Sequence, residues 1–427
     1  MRIIIGLIFL FFLIFFHELG HFIAAKFFGV KVEAFSIGFG PVLFHRKKGD
    51  TDYRFSLIPF GGYCSMKGEK DFQKSLDAGL DHIEAEKDSL YGVHPFKRLL
   101  IAFAGPFFNL FFAFFALTCV SLTGYKYYSF SNKIDVPDEK NHAEIRSVAK
   151  EAGIKSGDAI IKINGKRTDD FSDLIEQISI RPDQDITVTV LRNGEELEFN
   201  MHTDMDKKTG GGKIGIIANP ESLEEKEKKP KWLFPAAAEG FSETCRYSYL
   251  TVKGFFTLFK GVDLSESVSG PARIADMMGQ AVKESFGASL KTGIVNTLSF
   301  LAVISISLGI MNLLPVPVLD GGLILFALIE LVFRRKLSPK ILYYIQFVGI
   351  AFIAVMFVIG LNGDIHYFIN IIKGKKKNEK SCKILLLLLR HFFYRNEFSY
   401  SCTVAYFNAG SSGSDKHGRS GISGKRF

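Results

Sequence analysis

The chain has 427 residues, of which 47% are hydrophobic and 23% are charged. This mixture argues against both a wholly soluble enzyme and a simple bundle of membrane spans, so lipid-embedded and water-exposed parts are both expected. The net charge is +9, but no stretch interleaves basic and aromatic residues as a nucleic-acid groove would, and nucleic acid is therefore excluded as an expected partner. The five cysteines are scattered without a CxxC pair and indicate neither a disulfide framework nor a thiolate metal site.

Four apolar segments are each close to the ~20 residues that a helix needs to cross a bilayer. In chain order, the predicted spans are 1–29, 99–124, 294–325 and 341–362. A cleaved signal peptide is not expected, because the first apolar run passes directly into His-Glu-Leu-Gly-His rather than into a small-residue cleavage site. The sequence therefore predicts a polytopic α-helical membrane protein.

Basic residues near the span ends predict the orientation, because cytoplasmic loops carry an excess of lysine and arginine. The loop 30–98 and the RRKLSP stretch at 334–339 are both basic and are predicted to be cytoplasmic. The stretch between the second and third spans should then be extracytoplasmic. The basic run KGKKKNEK at 373–380 contradicts this orientation, since four spans place it outside as well. The basic residues of the first loop are Arg46, Lys47, Lys48, Lys97 and Arg98.

A small soluble module is predicted at 130–218. AEIRSVA and AIIKING are typical of short strands, FSDLIEQI is typical of a helix, and ITVTVLRNGEELEF alternates apolar and polar residues around an Asn-Gly turn, which indicates a β-hairpin. The segment 219–293 is predicted to be a linker with an amphipathic part, because ESLEEKEKKP at 221–230 is highly charged. The tail 373–427 is predicted to be disordered.

The first apolar segment ends in HELGH at 17–21. On a helix, His17 and His21 lie one turn apart on the same face and can share a metal ion, with Glu18 beside them as a general base. Ionisable side chains at membrane depth are costly and are functional by default. The pattern therefore predicts a zinc site inside the membrane.

A catalytic zinc site needs a third protein ligand and an open position for water. Glu33 and His45 follow the first helix closely and are candidates. Asp320, in NLLPVPVLDGG at 312–322, is the stronger candidate because no basic neighbour pairs with it and the two prolines before it must break the helix. Asn312, in the same broken stretch, is positioned to donate a hydrogen bond to a polarised carbonyl.

These motifs resemble the site-2 protease family of intramembrane zinc metallopeptidases, in its bacterial regulator-of-sigma-E-protease branch. The resemblance rests on HELGH at 17–21, AGPFFN at 104–109 and NLLPVPVLDGG at 312–322, and it extends over about residues 1–370. It implies that His17, His21 and Asp320 bind Zn²⁺. It further implies that Glu18 is the general base and that Asn312 contacts the substrate or an oxyanion.

The resemblance also implies which residues bind the substrate. Residues 53–69 correspond to a membrane-embedded β-hairpin that pairs with an unwound substrate by strand addition. Asn109 is expected in the second span near the site, although a buried polar residue that ties helices together is an equally good interpretation. The module at 130–218 corresponds to a PDZ domain of mixed β/α type. The implied substrate contacts are Asn109, Asn312, Gly61, Gly62 and Tyr63.

The expected function is intramembrane proteolysis of single-span membrane proteins, such as anti-sigma factors or signal-peptide remnants, in the bacterial cytoplasmic membrane. The extracytoplasmic PDZ domain is expected to contact the outer part of the substrate and to gate its entry. Two alternatives remain. A catalytically silent PDZ adaptor would not need Glu18 together with both histidines, and a zinc transporter would need ionisable groups along a path rather than at one site.

Overall fold

The computed structural model describes residues 2–137, 146–207, 209–257 and 269–375, apart from the side chains of 59, 60 and 372–375. The described chain divides into two compact units. One unit comprises the residues up to Tyr128 and from Glu225 onward, and the smaller unit comprises Ser129–Glu224. The predicted disordered tail lies almost entirely outside the described residues.

The helices and strands are numbered in chain order. The helices are α1 (Arg2–Phe28), α2 (Asp71–Asp77), α3 (Pro95–Thr123), α4 (Val148–Glu151), α5 (Phe171–Ser179), α6 (Leu233–Thr257), α7 (Pro271–Ala288), α8 (Leu290–Asn312), α9 (Asp320–Phe333) and α10 (Pro339–Lys375). The strands are β1 (Val32–Lys48), β2 (Thr51–Met66), β3 (Tyr125–Phe130), β4 (Ile134–Asp135), β5 (Ala159–Ile163), β6 (Lys166–Arg167), β7 (Asp185–Arg192), β8 (Glu195–His202), β9 (Asp204–Met205), β10 (Gly212–Lys213), β11 (Ile217–Ala218) and β12 (Leu223–Lys228).

Four helices of the described chain are long and apolar enough to cross a membrane, namely α1, α3, α8 and α10. The helix α3 is central, because α1, α8 and α9 all pack against it. It begins at Pro95, earlier than the predicted residue 99, because the His94 side chain accepts a hydrogen bond from the Phe96 N–H and proline fits the first turn.

The predicted third segment, 294–325, is broken at its prolines, as the sequence indicates. Two helices occupy it, because α8 ends at Asn312 and α9 begins at Asp320. Prolines 315 and 317 lack the N–H that an interior helical position needs, and Val318 adopts a positive φ of 85°. The fourth segment differs from the prediction, since α10 extends from Pro339 to Lys375 rather than ending at 362.

The predicted linker 219–293 is largely structured. Its charged run forms the strand β12, which pairs with β3. The Glu225 carboxylate accepts hydrogen bonds from Lys126 Nζ at 2.6 Å and from the Tyr128 hydroxyl at 2.9 Å. The helix α7, further along, packs tightly against α1. A Cβ on Gly6 would lie 1.9 Å from the Ala275 carbonyl oxygen, so a glycine is required for the two backbones to approach so closely.

The small unit contains a four-stranded antiparallel sheet in the order β6-β5-β7-β8. The predicted hairpin is present, and Asn193 and Gly194 have φ values of 52° and 89°, as the tight hairpin turn requires. The predicted strand AEIRSVA is wrong where the structure describes it. The helix α4 begins at Val148, because the Ser147 side chain caps it by accepting from the Lys150 N–H.

The polar loop after α1 forms a curled sheet rather than a hairpin confined to 53–69. The strands β1 and β2 pair through the turn at Gly49 and Asp50, and Phe35 pairs with both Cys64 and Tyr53. The first half of β1 therefore lies between the two halves of β2. The bend follows from Gly38 and Gly40, whose φ values of 90° and 80° suit only glycine. The segment 61–66 is left at the edge of this sheet.

A buried ion pair joins α3 to the C-terminal end of α9. The Arg98 guanidinium contacts the Glu330 carboxylate, and the two residues are only 2% and 7% exposed. The guanidinium also lies 4.9 Å from the centre of the Tyr91 ring. Arg98 is therefore not a free surface charge, and it does not support the orientation that loop charges predict.

We expect Glu330→Ala to lower the free energy of unfolding by about 3–5 kcal/mol, because it leaves the Arg98 charge buried and unpaired. The measurement is denaturant unfolding of the purified protein in detergent micelles. The control is Glu86→Ala, which removes the exposed partner of Lys67 and should cost at most about 1 kcal/mol. Equal losses in the two variants would contradict the importance of the buried pair.

Candidate metal centre

The two histidines of α1 face a common point. His17 and His21 are both buried, and their Nε2 atoms lie 3.2 Å apart. One helical turn separates the two residues, so the helix itself sets this spacing. The sequence prediction that they share one face agrees with this geometry.

Asp320, the first residue of α9, completes the group. Its Oδ2 lies 3.0 Å from His17 Nε2, and its Oδ1 lies 3.2 Å from His21 Nε2. The two glycines that follow Asp320 allow this position. A Cβ on Gly321 would lie 2.1 Å from the Leu314 carbonyl oxygen, so only glycine lets the first turn of α9 fold so closely onto the preceding broken segment.

These three side chains fit a metal ion. One donor atom from each lies within 4.8 Å of the others. Asp320 Oδ2 is buried and makes no hydrogen bond of acceptable geometry, although buried polar atoms are normally hydrogen-bonded. A cation would satisfy this oxygen. Two imidazoles and one carboxylate are ligands that zinc accepts, and three protein ligands leave a fourth position for water.

The second ring nitrogens are held so that Nε2 is free to bind a metal. His21 Nδ1 lies 2.8 Å from the Ile101 carbonyl oxygen and donates to it. The Asn109 amide lies 3.1 Å from His17 Nδ1, while Asn109 Oδ1 is buried without a partner. Rotation of the Asn109 amide by 180° exchanges its oxygen and nitrogen. Oδ1 then accepts a hydrogen bond from His17 Nδ1–H, so neither atom lacks a partner. Asn109 therefore lies behind His17 and orients its imidazole.

A glycine of α3 makes room for the two imidazoles. A Cβ on Gly105 would lie 2.2 Å from His21 Nε2 and 2.8 Å from His17 Cε1. Any larger side chain would displace the histidines. Sequence reasoning singled out Asn109 in AGPFFN and overlooked this glycine, although the same motif contains it.

Glu18 lies beside the group formed by His17, His21 and Asp320, against the edge of the sheet. Its Oε2 accepts a hydrogen bond of 3.1 Å from the Cys64 N–H. A Cβ on Gly62 would lie 3.8 Å from Glu18 Cγ, so the edge segment passes close to the carboxylate. Gly61 and Tyr63, the two other substrate contacts predicted in this segment, have different neighbours. The Tyr63 hydroxyl accepts a hydrogen bond from Arg54, and a Cβ on Gly61 would contact the Phe39 ring.

A cavity of about 550 Å³ surrounds the cluster. Asn312, at the end of α8, lines it together with Glu18 and Asp320, and α10 contributes Gln346. The two other candidate ligands lie elsewhere. Glu33 is exposed on β1, and His45 Nδ1 lies 3.1 Å from Asp52 Oδ1. The structure thus groups Asp320, rather than either of them, with the histidines.

The family of the chain follows from comparison with known proteins. The model of Peptidase family M50 matches residues 5–356. A protein of Treponema pallidum is 35% identical over 446 residues, which cover 86% of this chain and 99% of its own length. A protein of Campylobacter jejuni is 36% identical over 361 residues, which cover 83% of this chain and 90% of its own length. Both relatives are named as zinc metalloproteases. The chain therefore belongs to Peptidase family M50, the site-2 protease family, and is a zinc-dependent metallopeptidase.

Proposed function

We propose that the chain hydrolyses peptide bonds within the transmembrane segments of single-span membrane proteins. One observation carries the proposal. The cluster of His17, His21 and Asp320 lies between α1 and the α8–α9 break, and both α1 and α8 are of membrane-crossing length. A hydrolytic centre at that depth fits a substrate that is itself embedded in the bilayer. Irregular backbone at such a depth is tolerated only inside protein or beside water.

The residues have separate roles in the reaction. His17, His21 and Asp320 would hold the ion, and Zn²⁺ bound there would supply an acidified water and a Lewis acid for the scissile carbonyl. Glu18 accepts a proton from the attacking water and returns it to the leaving amide nitrogen. The Cys64 N–H fixes the Glu18 carboxylate for this transfer. Asn312 donates a hydrogen bond to the carbonyl oxygen of the bond that breaks.

The substrate binds along the edge segment 61–66. A transmembrane helix holds its carbonyl groups in internal hydrogen bonds, so it must unwind before its peptide bond is attacked. The edge of a sheet can pair with such an extended segment by strand addition and stabilise it. Because this edge passes beside Glu18, pairing brings the unwound backbone to the general base.

The experiment that tests the proposal uses purified protein reconstituted in liposomes with a single-span substrate. The protein should hold one zinc per chain and cut the substrate within its span. Asp320→Ala should lose most of the zinc and the cleavage, because it removes the anionic ligand. Glu33→Ala removes a carboxylate outside the cluster and should preserve both. Full zinc content in the Asp320 variant would contradict the assignment.

The same proposal extends to localisation and to the small unit. Four spans and the exposed basic residues 46–48 support a multi-pass protein of the bacterial cytoplasmic membrane, with Ser129–Glu224 outside as a PDZ domain. There it admits substrates, such as anti-sigma factors or signal-peptide remnants, that have already been trimmed on their outer side. Deletion of Ser129–Glu224 should preserve zinc and allow cleavage of untrimmed substrate. Loss of cleavage of trimmed substrate would contradict this gating role.

A further inference from the structure

The catalytic cavity contains a second glutamate that the reaction does not use. Glu69 lines the cavity together with Met66, Leu90, Tyr91 and Phe326. We call this part of the wall the Glu69 side. Apart from the Tyr91 hydroxyl, its other side chains are apolar, so the carboxyl group of Glu69 is the strongest polar feature there.

The backbone holds Glu69 in place. Its Oε1 accepts a hydrogen bond of 2.8 Å from the Met66 N–H, and the preceding Gly68 has a φ of 85° that forms the turn. The adjacent cation is not available to neutralise it. Lys67 Nζ instead lies 2.7 Å from Glu86 and 2.8 Å from Asp88. The carboxyl group of Glu69 therefore keeps acceptor capacity for a ligand.

The surroundings of Glu69 favour a cation. Burial raises the pKa of its carboxyl group to about 7, the Met66 N–H opposes this rise, and the charges of Glu18 and Glu33 add to it. His21 acts in the opposite direction, but more weakly. Glu18 and Glu69 both line the cavity, whereas Glu33 is exposed on β1. A positively charged group beside Glu69 in the cavity would be attracted by the Glu69 carboxylate and, from further away, by Glu18.

We propose that Glu69 determines substrate specificity by binding a lysine or arginine side chain near the scissile bond. The proposal rests on the function proposed above and names a feature of its substrates. Membrane spans carry lysine and arginine at their cytoplasmic ends, and Glu69 lies in the loop predicted to be cytoplasmic. The long methylene stem of such a residue packs on Met66 and Leu90 while its charge reaches the carboxylate.

The test is a scan of single-span substrates in liposomes with full-length protein. One residue at a time, on both sides of the cleaved bond, is changed to lysine, leucine or glutamate, and kcat/KM is measured for each substrate. The wild type should prefer lysine to glutamate at one position by about tenfold or more. Glu69→Gln should reduce that ratio to about twofold, and Glu69→Lys should reverse it. Glu84→Gln, which changes an exposed carboxylate of the same loop, should leave the ratio unchanged.

The outcomes separate this inference from the proposed function. Cleavage that needs Glu18 but shows no lysine preference at any position would overturn the role of Glu69 and leave the proposed function standing. A lysine preference that survives in Glu69→Gln would also overturn it. A uniform fall in kcat for all substrates, without a change in their ratios, would show that Glu69 supports the site structurally. Absence of any zinc-dependent cleavage would instead reject the proposed function.

Discussion

Replacement of Glu18 by glutamine is expected to slow peptide hydrolysis by about 10²–10⁴-fold while the protein keeps its zinc. The glutamine amide has the size of the carboxylate and can still accept a hydrogen bond from the Cys64 N–H, but it cannot take a proton from water. Zinc is retained because His17, His21 and Asp320 are unchanged. The measurements are zinc content and the rate of cleavage of a single-span substrate in liposomes.

The same variant separates the protease from the alternative functions. A PDZ adaptor would bind its partner equally well with glutamine at position 18, and a transporter would be tested by zinc uptake into the liposomes. Cleavage at the wild-type rate in Glu18→Gln would remove Glu18 from the mechanism. Chelation of zinc from the wild-type protein should stop cleavage, and readdition should restore it.

Replacement of Gly105 by alanine is expected to reduce zinc affinity by about 100-fold or more. The added Cβ would lie 2.2 Å from His21 Nε2, so the imidazoles must move away from the geometry that Asp320 completes. Loss of a group that only orients a ligand typically costs 10–100-fold in metal affinity, and here the ligand itself is displaced. Competition with a fluorescent zinc chelator measures the affinity.

The matched control for this variant is Gly287→Ala in α7. A Cβ there meets nothing within 4 Å, so the same chemical change occurs without a steric clash. It should leave zinc affinity and cleavage unchanged. If Gly105→Ala bound zinc as tightly as Gly287→Ala does, the packing of α3 against the two histidines would be looser than the structure shows.

The features that the sequence predicted well depend on local spacing. His17 and His21 share a face because helix geometry dictates it, and the Asn193–Gly194 turn forms because its two residues tolerate positive φ. The prolines near Asp320 predict an interruption of the helix. In each example a few neighbouring residues contain all the information, so no knowledge of distant contacts is needed.

The features that the sequence did not predict depend on distant contacts. The role of Gly105 is visible only when α3 lies against α1, and the double pairing of Phe35 requires both halves of β2. The charged run 221–230 has the composition of a linker, but β3 offers it a partner strand. Glu69 follows the same rule, because only the folded turn after β2 brings its carboxyl group into the catalytic cavity.

The wide separation of the proposed zinc ligands along the chain has a consequence for biosynthesis. His17 and His21 leave the ribosome early, whereas Asp320 follows about 300 residues later, a delay of roughly 15–60 s at ~5–20 residues per second. During that interval the nascent chain contains only two of the three ligands, and α9 has not yet formed. A growing chain therefore lacks the carboxylate that completes the group of three ligands. Zinc-dependent cleavage therefore cannot begin before the chain has been synthesised at least as far as Asp320.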